Sequence, residues 1–418
     1  MGASMKRGFR GKVMTASSGG EDLRYLEDGL LVFGDDGRIT SVEPFGGPPD
    51  GVLVRDVRPF LLAAGFVDAH LHYPQTRVIG SATGPLLPWL ERTVFPEEAR
   101  FLDERHATAV AAELTRRLAL AGTTTAVLYS SSDPRATRVL FEALARSGHR
   151  GFVGLTLMDQ HCPEPLRVDA DHALAACAEL ASAYHGHDRG RLAFVITPRF
   201  APTCSRALLE GAGRLAEERG LFVQTHISEN ADECRAALAL HPFASDYLDI
   251  YDRTGLLGER TLLAHAIHLS PGEWDRVRAR GARIAHCPDS NFFLGSGRMR
   301  LAEARARGIP VALGTDVAAG RTFDVRRIMS SAYDNATCLG DPITPEALFR
   351  LGTLGGAEAL GIARETGSLE PGKDADFCVI ELPDYVEGRS DVLSRIVFSS
   401  DTTPVRETYV RGKRVEGG

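Results

Sequence analysis

FVDAHLHYPQ, residues Phe66–Gln75, starts as an apolar run fit for a buried strand and ends on polar groups. Successive side chains of a strand point to opposite faces, so His70 and His72 share one side while Leu71 faces away. Two satisfied core histidines would explain this pair, taken alone, as well as a ligand pair would. The rest of the chain has to distinguish them.

Runs of the same kind recur along the chain. GFVDAH begins at 65, and it is followed by TTTAVLYS (123), GFVGLTLMD (151), LAFVITPRF (192), LFVQTHISE (221), TLLAHAIH (261), ARIAHCPDS (282) and PVALGTDVA (310). Ala-, Leu-, Arg- and Glu-rich stretches with helical character, such as ERHATAVAAELTRRLALAG, separate them. Strands alternating with helices predict a parallel sheet, and this many repeats predict a closed (β/α)8 TIM barrel, an α/β fold. Near-continuous apolar runs suit strands buried on both faces. The two ends read differently. GKVMTA and GLLVFGDDGRITSVEP, with a hairpin turn at Asp35-Asp36-Gly37, precede the barrel; DADFCVIEL, RIVFSS and ETYVRGKRV follow it. These are read as strands that pair into one small β domain built from both termini. The expected division is 1–62 and 369–418 for the β domain and 63–368 for the barrel.

The longest interruption, from Tyr73 to Phe101, contains GPLLPWLERTVFPEE. Loops of that length inside a domain are uncommon unless they serve function, so a lid or pocket wall is expected, with Trp89 against the substrate. A plain packing excursion is the alternative.

Composition bounds the partners. Of 418 residues, 44% are hydrophobic and 25% charged, an ordinary globular balance, and no apolar run is long enough to cross a bilayer. A formal net charge of -7 leaves no basic surplus for a phosphate backbone, so a small molecule is expected rather than nucleic acid. The 7 cysteines, an odd number, are scattered between Cys162 and Cys378 without a C-x-x-C pair, the pattern of a reduced cytoplasmic protein. MGASMKRGFRGKV lacks the apolar segment of a secretory signal, and Lys6 stands where a myristoylation signal needs Ser or Thr. No export or anchor is expected.

Polar residues gather at the C-terminal ends of the predicted strands, where barrel enzymes place their sites. His70 and His72 end the first, Arg199 the fourth, His226 with Glu229 the fifth, His265 the sixth and Asp316 the eighth. Buried charges are costly unless paired or metal-bound, and one metal accounts for all of these together. His70, His72, His226 and Asp316 offer three imidazoles and a carboxylate, a set that suits Zn²⁺ with a position open for water; Fe²⁺ and Mn²⁺ also accept such ligands. Lysine occurs only at positions 6, 12, 373 and 413, so no carbamylated lysine can bridge two metals in the barrel and one metal per chain is expected, a bridging glutamate being the alternative that would allow two. The cation would activate water at neutral pH. Asp316 is placed to accept the water's proton, His265 to hold the same oxygen, and Glu229 to carry protons to the substrate. Alone, Glu229 would equally suit a helix first turn.

GFVDAHLH, QTHISE, LLAHAIHLS, IAHCPDSN, LGTDVA and GSLEPGKDADFCVI together resemble the amidohydrolase superfamily over nearly the whole chain. HLHYPQ, PLLPWLERTVFPEEARF, ITPRFAPTCS, THISEN and AHCPDSNFFLGSG more narrowly resemble the guanine deaminase family. The resemblance implies a distorted barrel with a β-sandwich from both termini, the ligands and proton shuttle already named, a homodimer, and hydrolysis of guanine to xanthine and ammonia. It implies Gln75, Arg199 and Phe200 as substrate contacts, where an amide, a donor fork and an aromatic face suit a purine. A pterin, an oxidised purine or a triazine is the alternative ring. The chain departs from the family at Val317-Ala318-Ala319-Gly320-Arg321, usually richer in glycine and serine, and at Pro88, commonly acidic. The H-x-E…P-C-x-x-C signature of other zinc base deaminases is absent.

Overall fold

The computed structural model describes residues 6–20, 22–81 and 84–415. Eight parallel strands follow one another around a barrel: Phe66–His72, Thr123–Tyr129, Arg150–Gly154, Leu192–Pro198, Phe222–Ile227, Thr261–His265, Arg283–His286 and Val311–Leu313. Each overlaps one of the eight apolar runs. The third is broken at Leu155, and only its continuation Thr156–Leu157 pairs with the end of the fourth.

The ring closes between the first and eighth strands through Asp316 N–H to the His70 carbonyl (2.7 Å) and His72 N–H to the Val317 carbonyl (3.0 Å). Gly314 permits that approach, since a Cβ there would lie 2.7 Å from the His70 Cβ. The closure seam therefore passes through the histidine pair. One apolar cluster, including Val67, Val127, Phe152, Val195, Leu262, Ala285 and Ala312, fills the interior, so the barrel is a packed core with its open end at the strand C-termini. Local signals set the helices around it. Asp103 caps Glu104–Ala121, which stops at Gly122 (φ 76°), and Asp133 caps Pro134–Ser147, which stops at Gly148 (φ 89°).

The terminal segments form a separate seven-stranded sheet in which the N-terminal Lys6–Ala16, Leu23–Phe33, Ile39–Pro44 and Val52–Ala64 join Phe377–Ile380, Val405–Val410 and Lys413–Arg414. The predicted turn is present, with Gly37 at φ 80°. Phe9 and Tyr409 are three strand spacings apart in the pairing order, about 14 Å in a flat sheet. Their ring centroids are 5.1 Å apart. The sheet thus curls over a layer of Phe9, Phe33, Phe377 and Tyr409.

Two expectations need correction. RIVFSS is not a strand: its RIVF ends the helix Gly388–Phe398. Val392, Leu393, Ile396 and Val397 are the buried positions, spaced by 3.6 rather than 2, so the apolar face covers the barrel helices as a helix must. The interruption from Tyr73 to Phe101 is not an irregular loop either. Tyr73–Gln75 is a 3-10 turn, and from Leu86 to Leu102 the backbone is helical throughout, with a π-type stretch at Leu90–Val94. Among the described residues no helix is long and apolar enough to cross a membrane.

Candidate active site

At the open end of the barrel the first strand slips register between Asp68 and Leu71, a bulge that re-aims side chains. It delivers both histidines inward, with His70 and His72 ring centroids 5.1 Å apart. His70 Nε2 and His72 Nε2 lie 3.3 and 3.5 Å from Asp316 Oδ1, and His72 Nε2 lies 3.1 Å from His226 Nε2. One ligand atom from each of His70, His72, His226 and Asp316 falls within 4.8 Å of the others. The spacing read from the sequence is realised in space.

Do these atoms suit a cation? His226 Nδ1 donates to the Arg199 carbonyl at 2.5 Å, which turns the Nε2 lone pair to the centre, as second-sphere partners of metal-bound histidines do. His70 Nε2 is buried with no hydrogen-bond partner, a cost that a cation would remove. Burial pushes all three imidazoles below their ordinary range, His72 to about 4, which favours the neutral, ligating form. Burial alone would raise the Asp316 carboxyl, but the His70 and His72 imidazoles 3.3 and 3.5 Å away hold it well below its usual value. The four residues form a site for a divalent metal.

The acid/base candidates stand beside it. His265 Nε2 is 3.4 Å from Glu229 Oε2 and 3.8 Å from Asp316 Oδ2, while its Nδ1 meets Asn291 Oδ1 at 2.9 Å. Glu229 accepts from Ser296 Oγ at 3.3 Å. Burial, with the Asp316 charge adding to it, pushes the Glu229 carboxyl well above its usual range. Glu229 lies outside the helix that follows it. Asn230 caps Ala231–Leu240 in a capping box with Glu233, so the first-turn role belongs to Asp232 and Glu233. Ser228, His265 and Asp316 have φ of 49°, 72° and 49°, a left-handed backbone costing about 1–3 kcal/mol each and found where the chain must present functional groups.

A pocket opens over this centre. Its walls include every expected substrate contact, Gln75, Trp89, Arg199 and Phe200, together with His72, His226, Glu229 and Asp316. Leu86, Leu90, Leu294 and Ala319 complete it, so the departure from the glycine-rich pattern after Asp316 places a methyl group in the pocket wall. The Trp89 indole N–H is committed to the Ser81 carbonyl at 2.9 Å, leaving its ring to serve as surface. His70 and His265 are the exceptions among the expected site residues. Both are buried and neither lines the pocket.

Sequence reasoning missed three residues that organise the site. Glu98 Oε2 accepts from Arg199 Nη1 at 2.6 Å and its Oε1 from Gln75 Nε2 at 3.1 Å, so the Arg199 cation is paired and not free. Asp68 accepts from Thr315 N–H (2.9 Å) and Thr315 Oγ1 (2.5 Å), pinning the eighth strand to the first beside Asp316; burial pushes it up to about 7. Tyr129 packs its ring 4.9, 4.5 and 4.7 Å from those of His70, His72 and His226. Asp68 stands in the FVDAH run and was visible as a buried polar position. Glu98, beside Glu97 in the FPEE run, carried no comparable signal.

Residues 61–415 match the amidohydrolase family. The chain is 37% identical to guanine deaminase of Escherichia coli strain K12 over 94% of its length and 92% of the relative's. The solved structure of the E. coli guanine deaminase superposes with a TM-score of 0.93 at 35% identity, covering 98% of this chain and 99% of that one. A guanine deaminase from C. acetobutylicum, solved with guanine bound in its active site, superposes with a TM-score of 0.92 at 31% identity over 98% and 100% of the two chains. With the barrel, the curled terminal sheet and the histidine–aspartate centre in place, these similarities lead to one conclusion: the chain belongs to the amidohydrolase family.

Proposed function

We propose that this protein is a guanine deaminase that hydrolyses guanine to xanthine and ammonia with one zinc ion per chain. The observation that carries the reading is the pocket, whose lining combines a guanidinium, an amide and an aromatic face with three of the four residues of the metal centre. The relatives' activity and the guanine held by one of them support the same ring. Three nitrogens and an oxygen suit zinc, with Fe²⁺ the alternative. When bound, such a cation supplies Lewis-acid activation of water at neutral pH.

The chain's own groups do the rest. Asp316, ionised, accepts a proton at its free carboxylate oxygen. His265, its tautomer set by Asn291, orients the attacking water from the other side. Glu229, whose carboxyl burial and the Asp316 charge hold well above its usual range, gives a proton to the purine ring nitrogen and then assists departure of ammonia. Arg199 donates to the guanine carbonyl, Gln75 binds the ring edge, and Phe200 and Trp89 provide apolar faces. Leu86, Leu90 and Leu294 exclude bulk water. The same reading makes the protein a cytoplasmic homodimer, in keeping with its seven free cysteines.

The test is ammonia release by the purified protein from guanine, a pterin, an oxidised purine and a triazine, with metal content measured on the same sample. Guanine is expected to give the highest kcat/KM, with close to one zinc per chain. Faster turnover of another ring would overturn the substrate assignment.

A further inference from the structure

Glu98, on the helical segment over the barrel mouth, is 4% exposed and accepts twice, from Arg199 and from Gln75. Glu97 beside it is occupied elsewhere, by Arg100 and His106. Gln75 in turn accepts from the Ala318 N–H at 3.1 Å, so Glu98 stands at the junction of the first-strand turn, the fourth strand and the segment after Asp316. Holding both donors takes two acceptor oxygens, of which a neutral amide supplies one. A carboxylate adds charge.

That charge has a use if guanine is the substrate, the reading on which this inference rests. Replacing the amino group by a carbonyl with an adjacent ring N–H makes the product a stronger acid than the substrate. A lone guanidinium in a closed, poorly solvated pocket would favour the product anion strongly. We propose that Glu98 is a positioning residue whose charge cancels that of Arg199, so that the pocket accepts the neutral aminopurine and lets the acidic oxopurine go.

Glu98→Gln keeps the shape and one acceptor while removing the charge. His72, Tyr129, Cys162 and Glu229, which lie near enough to Arg199 to sense it, are unchanged by the substitution, as is Asp316. Inhibition of guanine turnover by xanthine and by hypoxanthine is measured for both proteins in mildly alkaline buffer, where xanthine is largely anionic and hypoxanthine largely neutral. The variant is expected to bind xanthine about tenfold or more tightly than the wild type does, with hypoxanthine changed far less and Glu98→Asp close to wild type. Unchanged or weaker xanthine inhibition, or equal shifts for both purines, would overturn the proposal. Should Glu98→Gln fold poorly, the wild type decides: xanthine must inhibit it no more tightly than hypoxanthine, and a strong preference for the anion refutes charge cancellation. A wild type inert toward guanine defeats the functional reading instead.

Discussion

Glu229→Gln separates chemistry from architecture. The side chain is 3% exposed, lies 3.4 Å from His265 Nε2 and accepts from Ser296 Oγ, and an amide of the same shape can keep the serine contact. What it loses is the transferable proton. Positioned acid/base groups contribute roughly 10²- to 10⁴-fold, so kcat on guanine should fall by that factor, about 2.7–5.4 kcal/mol of barrier. Stability should move the opposite way. Because the folded pKa of Glu229 lies well above the usual 4.5, the fold pays no penalty for it below the unfolded value. The penalty grows as pH rises toward the folded pKa and persists beyond it. Removing the carboxyl relieves it, and at pH 8 the variant should melt above the wild type. Steady-state kinetics, zinc content and thermal melts from pH 4 to 8 test this. A variant that loses zinc and melts lower would show that Glu229 holds the site together and would refute the assignment.

His226→Ala removes a ligand, and zinc content and turnover should fall together; full zinc with a near-normal rate would place the metal elsewhere. Arg199→Met should lower the preference for guanine over 2-aminopurine, which lacks the carbonyl, by roughly 10²-fold in kcat/KM. This is less than the extreme seen when a site's polar group is stranded, because Glu98 still pairs with Arg199 when the carbonyl is missing. Equal wild-type rates on the two purines would sink the role of Arg199. His149 is 1% exposed and held by burial, aided by the Arg191 charge, at about 3 instead of 6.5. Its neutral form is favoured by folding, so its contribution is complete above pH 6.5 and is lost as pH falls from there toward 3. Melting curves of His149→Gln should show a shallower acid decline than the wild type, and identical slopes would refute that role.

Strand spacing and side-chain alternation are local properties, which is why eight apolar runs sufficed to anticipate the barrel, and why His70, His72, His226, Glu229, His265 and Asp316 could be placed at strand ends before any contact was known. RIVFSS misled because a run of three apolar residues is compatible with either period; only the helices it covers select the helical one. The segment after Tyr73 was read as a lid or pocket wall from its length, but not as helix, since its Pro and Gly residues are loop signals that packing over the barrel mouth overrides. Glu98 lies furthest from what local sequence can show. Its partners are 101 and 23 residues away, and nothing in FPEE says which glutamate turns inward. That choice depends on where the lid lands on Arg199 and Gln75, a long-range geometry set by closure of the barrel. The ligand set was thus a property of the chain, whereas the charge balance of the pocket around it arises only when distant segments meet.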